Sequence, residues 1–308
     1  MTAGGMPVAA EGTPVTFQRI AVIYNPASGR PRERAGLLER LAAPLRAAGR
    51  TVSICPTERP GHAAAIARAK AGEGYDLILA YGGDGTMNEA LQGVVGTGAA
   101  LGFWPGGTAN VLAAEIRFPH RPEEVAERIL AGRTQEVTVG RANDRYFLLM
   151  AGVGLDAAVA GAVDPELKRR FGKAAFAVAA MRFIWHWDLA PFVVHLEGEP
   201  PVVGRFVVAG NAHSYGGGFQ FTPDASLTDP HLDVCIFTAE TVGDYLAYVS
   251  AALMGLHRNL PGVVYRKVRS VTITAAADHK PLTQVDGEVV GELPVTLTAL
   301  PRALRLLV

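Results

Sequence analysis

The sequence has little cysteine and no excess of charge of either sign. Its two cysteines, Cys55 and Cys235, lie far apart and outside any C-x-x-C pattern. We therefore expect free thiols in a reducing compartment and no disulfide framework. The 308 residues contain 29 Lys plus Arg and 29 Asp plus Glu. This balance argues against a dedicated nucleic-acid-binding protein, which usually carries a basic excess.

The sequence also lacks an uninterrupted apolar segment of about 20 residues, the length that spans a bilayer as a helix. The longest uncharged run, residues 90–114, is broken by Pro105 and several glycines. Residues 1–16 contain no Lys or Arg and no apolar core, so we predict a disordered leader and no secretory signal. We expect a cytoplasmic protein that is not transmembrane, although it could be peripheral to a membrane.

Residues 17–134 alternate between short apolar segments and segments with helical periodicity. The predicted strands are 19–24, 51–55, 76–81 and 99–104, and the predicted helices begin at 31, 62, 86, 108 and 122. This alternation predicts an α/β domain with a doubly wound parallel sheet.

From residue 135 the pattern changes, because short strands separated by turn residues become dominant. The predicted strands are 136–141, 145–151, 192–197, 203–210, 232–237, 267–275, 282–286, 294–299 and a final strand, 303–308. Two helical stretches interrupt them, near 165–187 and 241–255. We predict that residues 135–299 form a mostly antiparallel β-sandwich domain. The apolar tail, about 300–308, is expected to pack back on the first domain.

Three glycine-containing loops follow predicted parallel strands, namely Asn25–Arg30, Gly82–Thr86 and Pro105–Asn110. In parallel sheets, ligands bind at the carboxyl ends of the strands. Closely spaced glycines let backbone N–H groups approach a phosphate, and Asp84 among them could serve Mg²⁺ or a proton. The simpler interpretation is an ordinary turn with a helix cap. The same two interpretations apply to Thr57 and Thr108.

Other patterns carry less information by themselves. Gly152-x-Gly154-x-x-Ala157 matches a dinucleotide fingerprint, but no βαβ unit follows it. Asp286-Gly287 is a strong hairpin signal. Residues 167–187 combine aromatic and basic side chains, and this stretch either docks on an anionic membrane or is a packed helix with a solvated end.

Taken in order, the short motifs of the chain form a longer pattern. In the first half they are Asn25-Pro26-x-Ser28-Gly29, Thr57 with Gly61-His62-Ala63, Gly82-Gly83-Asp84-Gly85-Thr86 with Asn88-Glu89, and Pro105-x-Gly107-Thr108-x-Asn110. The second half adds Ala209-Gly210-Asn211, Gly217-Gly218, Pro223-x-Ala225, Leu232-Asp233-Val234 and Asp286-Gly287-Glu288. This set resembles the diacylglycerol kinase catalytic domain family of lipid kinases in its bacterial soluble form.

The resemblance implies a nucleotide-binding α/β domain and a β-sandwich domain, with the active site in the cleft between them. It implies transfer of the ATP γ-phosphate, with Mg²⁺, to a lipid hydroxyl at the membrane surface. Glu288 would accept the proton, with Asp286 close by and Asp84 also catalytic. The residues that would contact ATP are Asn25, Pro26, Ser28, Gly29, Thr57, Gly82, Gly83, Asp84, Gly85, Thr86, Asn88 and Thr108.

The chain departs from the family at a structural metal site of the second domain. There the family often has Asp-Gly-x-Leu, whereas this chain has Pro230 in place of the glycine. Ser226 stands where an acid is often found. Asp229, Ser226 and the carbonyl of His231 could still bind Mg²⁺, with reduced affinity because fewer charges are present.

Two other functions remain open. NAD kinases carry a similar G-G-D-G-T loop on a related fold, so the phosphate acceptor could be a soluble nucleotide. A lipid-binding protein without catalysis is the second alternative, although its expected signature, a broken glycine loop or lost carboxylates, is not seen. The identity of the lipid and the presence of a homodimer are also open.

Overall fold

The computed structural model describes residues 13–26, 31–154, 190–214, 220–238, 240–276 and 281–308. The predictions for Ser28, Gly29, the stretch 165–187 and Gly217-Gly218 lie outside these residues. Contacts between Cα atoms divide the chain into two compact units, Met1–Val137 with Ala303–Val308 (unit 1) and Thr138–Arg302 (unit 2). None of the helices within the described ranges is both long and apolar enough to cross a membrane.

Unit 1 contains the parallel sheet that the sequence predicts. Its strands are β2 (Arg19–Tyr24), β3 (Thr51–Pro56), β4 (Leu77–Gly82) and β5 (Ala100–Pro105). They are ordered β3-β2-β4-β5, and every neighbouring pair is parallel. Residues 20–23, 77–80 and 100–104 are buried, which is typical of strands covered by helices on both faces.

The helices of unit 1 are α1 (Pro31–Ala47), α2 (His62–Gly72), α3 (Asp84–Val94), α4 (Val111–Glu115) and α5 (Pro122–Ala131). Helix α1 buries Leu38, Leu41 and Leu45 at helical spacing. It continues through Pro44 to Ala47.

Part of the predicted disordered leader is ordered, so its boundary at residue 16 was wrong. Strand β1 (Thr13–Pro14) pairs antiparallel with β6 (Arg133–Ala142), where Thr13 lies opposite Thr134. The Val15 N–H donates to the Gly132 carbonyl at 2.8 Å. Backbone pairing with a strand that is distant in sequence orders this short polar segment, and a local pattern cannot show it.

Unit 2 contains antiparallel strands in two layers. One layer has the order β10-β9-β14-β17, from β9 (Phe192–Leu196), β10 (Val202–Gly204), β14 (Ser270–Ala275) and β17 (Val295–Leu307). Strand β7 (Arg145–Phe147) pairs with β6. The other layer has the order β13-β12-β11-β8-β15-β16. Its strands are β8 (Met150–Gly154), β11 (Phe206–Gly210), β12 (Leu232–Phe237), β13 (Val263–Val268), β15 (Leu282–Val285) and β16 (Glu288–Glu292).

Side chains from both layers form one buried apolar cluster, which includes Phe192 and Ile273 from the first layer and Val153, Val207 and Val234 from the second. The predicted β-sandwich is therefore confirmed. Helix α6 (Val242–Leu253) lies within the predicted stretch 241–255, and a short 3₁₀ turn follows at His257–Asn259.

The strand predictions for unit 2 were least accurate at strand ends. The predicted strand 267–275 is two strands, β13 and β14. The predicted strands 294–299 and 303–308 are one 13-residue strand, β17. Its last residues pair with β5 of unit 1, with Arg305 opposite Ala100. The boundaries between the units fall at residues 137/138 and 302/303, within β6 and β17.

Candidate active site

The carboxyl ends of the unit 1 strands meet at one edge of the sheet. Tyr24, which ends β2, lies opposite both Pro56 of β3 and Tyr81 of β4, and Gly82 lies opposite Pro105 of β5. The chain first adds β3 on one side of β2 and then β4 on the other. The reversal makes the gap between β2 and β4 a topological switch point, where open parallel sheets bind ligands.

A cavity of about 390 Å³ opens at this edge of unit 1. It is lined by Asn25, Pro26, Thr57, Glu58, Arg59, Pro60, Thr86 and Glu89. Four of the predicted nucleotide contacts, Asn25, Pro26, Thr57 and Thr86, are therefore brought together, although they come from three different parts of the chain. The Thr57 N–H donates to the Tyr24 carbonyl at 2.8 Å, which joins the loops that follow β2 and β3.

Helix α3 begins two residues earlier than predicted, at Asp84, with Gly83 as its N-cap in an extended conformation. Asp84 is therefore the first helical residue and does not lie in a loop before the helix. The first N–H groups of any α-helix have no acceptor within the helix and give its N-terminus a partial positive charge. The segment from Gly83 to Thr86 is thus a site where an anion is favoured.

Two pairs of consecutive glycines in unit 1, Gly82-Gly83 and Gly106-Gly107, pack against each other. The Gly106 N–H donates to the Gly82 carbonyl at 2.7 Å. A Cβ added to Gly107 would lie 2.5 Å from the Gly83 Cα, whereas a Cβ on Gly83 would meet its nearest atom at 3.6 Å. Gly107 is therefore required for contact between the loops, and space for a side chain remains at Gly83.

The Asp84 carboxylate also stabilises a neighbouring helix. Its Oδ1 accepts a hydrogen bond of 2.8 Å from the N–H of Val111, the first residue of α4. The N-cap of α4 is Asn110, in the left-handed conformation, and not Thr108 as one of our predictions had it. Asn110 closes its own loop, because its amide donates to the Gly107 carbonyl and accepts from the Gly107 N–H. Thr108 is exposed at the tip of this loop.

Asn88 lies in the interior of unit 1. Its side chain is fully buried, and Gln92 donates to both its carbonyl and its side-chain oxygen, at 3.1 and 3.3 Å. These bonds give Asn88 a role in packing α3. Its contact with a nucleotide stays a prediction.

Two residues that we did not single out as contacts support the site. The Arg34 side chain is buried and donates to the Pro26 carbonyl at 2.7 Å, so it anchors the loop after β2. The Glu89 carboxylate accepts from the N–H of Ala63, in the first turn of α2, at 3.2 Å. Only the spacing of Asn88-Glu89 after the glycine loop pointed to Glu89, and nothing in the sequence distinguished Arg34 from the other arginines of α1.

In unit 2, Asp286 and Gly287 form the two-residue turn of the β15–β16 hairpin. Both have positive φ, 47° and 85°, as a type I′ turn requires. The Asp286 carboxylate accepts three backbone hydrogen bonds, from Leu148 (2.9 Å), Leu149 (2.9 Å) and Met150 (3.0 Å). These bonds hold the hairpin against the chain from Leu148 to Met150, so Asp286 fixes the position of the turn.

Glu288 is the first residue after this turn. Its Oε2 accepts from Arg145 Nη2 at 2.9 Å, and the Glu288 side chain is 39% exposed. Arg145 belongs to β7 and also lines a cavity of about 340 Å³ with Asn143, Asp144 and Glu292. The sequence carried no signal for Arg145, because 143 residues separate it from Glu288.

The predicted metal site of unit 2 does not fit a metal ion. The Lys267 ammonium lies 2.5 Å from Asp229 Oδ2 and 3.3 Å from Asp233 Oδ2. The other oxygen of Asp229 is shared by the N–H and Nδ1 of His231, and the Ser226 hydroxyl is bonded to Thr228. Within the described part of the chain, no three His, Cys, Asp or Glu side chains form a group that could hold a metal. Binding of Mg²⁺ by Asp229, Ser226 and the His231 carbonyl stays a prediction, and the position of the Lys267 ammonium argues against it.

In a comparison with known protein families, each half of the chain matches a family model. Residues 19–142 match the diacylglycerol kinase catalytic domain. Residues 150–308, half of the chain, match the YegS C-terminal NAD kinase beta sandwich-like domain. The chain belongs to the diacylglycerol kinase family. This family membership confirms the resemblance drawn from the motifs, and the family is one of kinases.

Individual relatives match this chain in sequence or structure over almost its whole length. It is 28% identical to the diacylglycerol kinases of Staphylococcus aureus strains bovine RF122 / ET3-1 and MRSA252, over 92% of this chain and 90% of each relative. A crystal structure of a diacylglycerol kinase from Bacillus anthracis str. Sterne has a TM-score of 0.76 and 25% identity, covering 95% of this chain and 98% of that one. A second structure from that organism has a TM-score of 0.79, 24% identity and 96% coverage of both chains, and shows the shared fold.

Proposed function

We propose that this protein is an ATP-dependent lipid kinase that transfers the γ-phosphate of ATP, with Mg²⁺, to the hydroxyl of a diacylglycerol-like lipid. The observation that carries the proposal is the cavity at the switch point of the unit 1 sheet, beside the N-terminus of α3. Polar side chains and helix N–H groups converge there on a space that suits a polyphosphate.

In this proposal the loops of unit 1 hold ATP. Asn25, Thr57 and Thr86 supply amide and hydroxyl groups around the cavity, and the backbone at Gly83 leaves room for a phosphate. Ser28 and Gly29, which lie outside the described residues, and the exposed Thr108 stay in the proposed set. The donor set also suits Mg²⁺, because hydroxyl and carboxylate oxygens, including those of the half-buried Asp84, are its preferred ligands. Bound with ATP, Mg²⁺ would neutralise charge on the transferring phosphoryl group.

Glu288 is the proposed general base. As the lipid hydroxyl oxygen bonds to the γ-phosphorus and the bond to ADP breaks, the hydroxyl proton passes to the Glu288 carboxylate. Arg145 restricts the orientation of that carboxylate through their ion pair. Asp286 holds the turn in the conformation that places Glu288 directly after it. Our proposal thus keeps Glu288 in the chemical role and gives Asp286 a positioning role.

Diacylglycerol is the first acceptor to test because the curated relatives carry the name diacylglycerol kinase. A soluble nucleotide is the second candidate, because the profile that matches residues 150–308 is described as NAD kinase beta sandwich-like. Non-catalytic lipid binding is the third, and it predicts lipid binding without turnover.

The deciding experiment incubates the protein with γ-labelled ATP and Mg²⁺ and offers four acceptors separately. These are a short-chain diacylglycerol in detergent micelles, phosphatidylglycerol, a sphingoid base and NAD. We expect label in diacylglycerol, and a loss of roughly 10²–10⁴-fold in kcat for Glu288→Gln. Label in NAD alone would support the nucleotide kinase, and the absence of label in every acceptor would leave only the binding function.

A further inference from the structure

The loop before β12 contains an intramolecular cation site. Lys267 on β13 lies directly opposite Asp233 on β12 in the register of the two strands. Its ammonium also reaches Asp229, at the end of the loop that precedes β12, at 2.5 Å. One side chain thus connects the β12–β13 strand pair to the loop that leads into β12.

The contact with Lys267 is important for stability because the Asp233 carboxylate is buried. Its side chain is fully buried between β11 and β13, and the Lys267 ammonium lies 3.3 Å from Oδ2. A buried carboxylate without a cation close by is strongly unfavourable, because the low dielectric does not screen its charge.

The loop around Asp229 is built to hold that residue in place. The Asp229 carbonyl accepts from the Thr138 hydroxyl at 2.7 Å, and its N–H donates to the Ser226 carbonyl at 2.9 Å. Its second carboxylate oxygen accepts from the His231 N–H at 3.0 Å. The carboxylate is thus held towards Lys267 by bonds on both sides of it.

We propose that Lys267 is the resident cation of this site, so that unit 2 folds without a structural metal ion. The Lys267 ammonium carries one positive charge and lies between the carboxylates of Asp229 and Asp233. A bound cation would take the same position if the lysine were absent. This inference is independent of the proposed kinase activity, and its test uses no substrate.

The test measures stability of the full-length protein and hydrogen exchange at one amide. Lys267→Met keeps most of the apolar stem and removes the charge, and Lys267→Ala also opens a space. We expect both variants to lower Tm by about 5–10 °C, because they leave a buried carboxylate unpaired. In Lys267→Ala, Mg²⁺ or methylammonium should restore part of the loss and slow exchange of the His231 N–H, which is bonded to Asp229. Wild type should show neither effect.

Lys70→Met is the matched control. Lys70 also forms an ion pair of 2.7 Å, but with the half-exposed Glu73 on the surface of unit 1. Surface pairs contribute little, so its Tm should hardly change. Three outcomes would overturn the proposal. They are a Lys267→Met variant as stable as wild type, a Lys267→Ala variant that no cation restores, and a wild-type His231 amide whose exchange responds to Mg²⁺ or to a chelator.

Discussion

Asp286 and Glu288 lie two positions apart in the sequence. From the structure we expect replacement of the carboxylate by an amide to reduce mainly stability at Asp286 and mainly kcat at Glu288. Asp286→Asn retains one carboxyl-type oxygen and replaces the other with an NH₂ donor. At least one of the three backbone N–H groups at Leu148, Leu149 and Met150 then loses its acceptor and faces a donor. The remaining bonds lose the assistance of the negative charge.

The size of the effect follows from those bonds. A hydrogen bond to a charged group contributes about 1.5–3 kcal/mol, and a buried donor left without an acceptor costs about 1–3 kcal/mol. We therefore expect Asp286→Asn to lower the free energy of unfolding by about 2–4 kcal/mol. Glu288→Gln removes one ion pair between side chains that are 39% and 35% exposed, which is worth less than about 1 kcal/mol.

Urea denaturation followed by circular dichroism measures the stability difference, and steady-state kinetics with ATP and the acceptor that takes up the label in the experiment above measure kcat. We expect a stability loss dominated by Asp286→Asn and a kcat loss dominated by Glu288→Gln. Asp144→Asn is the control, because Asp144 is exposed in the turn between β6 and β7 and carries the same charge. An Asp286→Asn variant with wild-type stability and a greater kcat loss than Glu288→Gln would show that Asp286 is the base.

Two further predictions concern packing and pH. Gly107→Ala should lower the free energy of unfolding by about 1–3 kcal/mol, because its Cβ would lie 2.5 Å from the Gly83 Cα, while Gly83→Ala should be nearly neutral. Equal Tm values for these two variants would contradict the packing role of Gly107. Burial lowers the pKa of His257 below its ordinary value of 6.5, so the unfolded chain takes up the proton first as pH falls. The stability from neutral His257 is thus present above about pH 6.5 and lost below it, and His257→Phe should be less acid-sensitive than wild type in Tm measured across that range.

Several features of the site could be predicted because they depend on neighbouring residues. The strand that ends at Gly82, the helix that follows it and the Asp286-Gly287 hairpin each have a local physical cause, namely apolar spacing, helix periodicity or a residue pair that tolerates positive φ. The motifs also identified the family, because their order and spacing are contained in the sequence itself.

Other features depend on contacts that no local pattern records. Gly107 could be seen to be a loop glycine, but its contact with Gly83 requires two neighbouring strands to end at the same edge. Asn88 belongs to the family motif, yet it is buried once α3 packs on the sheet. The Lys267–Asp229 ion pair is hidden from the sequence for the same reason, since Lys267 lies 38 residues from Asp229 and meets it only through the pairing of β12 with β13.

The sequence by itself therefore determined the two fold classes and the family, and it supplied the candidate residues for the proposed phosphotransfer. Side-chain types and short-range periodicity contain that information. The tertiary structure decided which of those residues bond to backbone, which remain accessible and which are paired with a distant charge. Arg145 beside Glu288 and Lys267 between Asp229 and Asp233 are such pairs. Partners of this kind come from strand register and loop packing, and their energies depend on burial, a property that only the folded chain possesses.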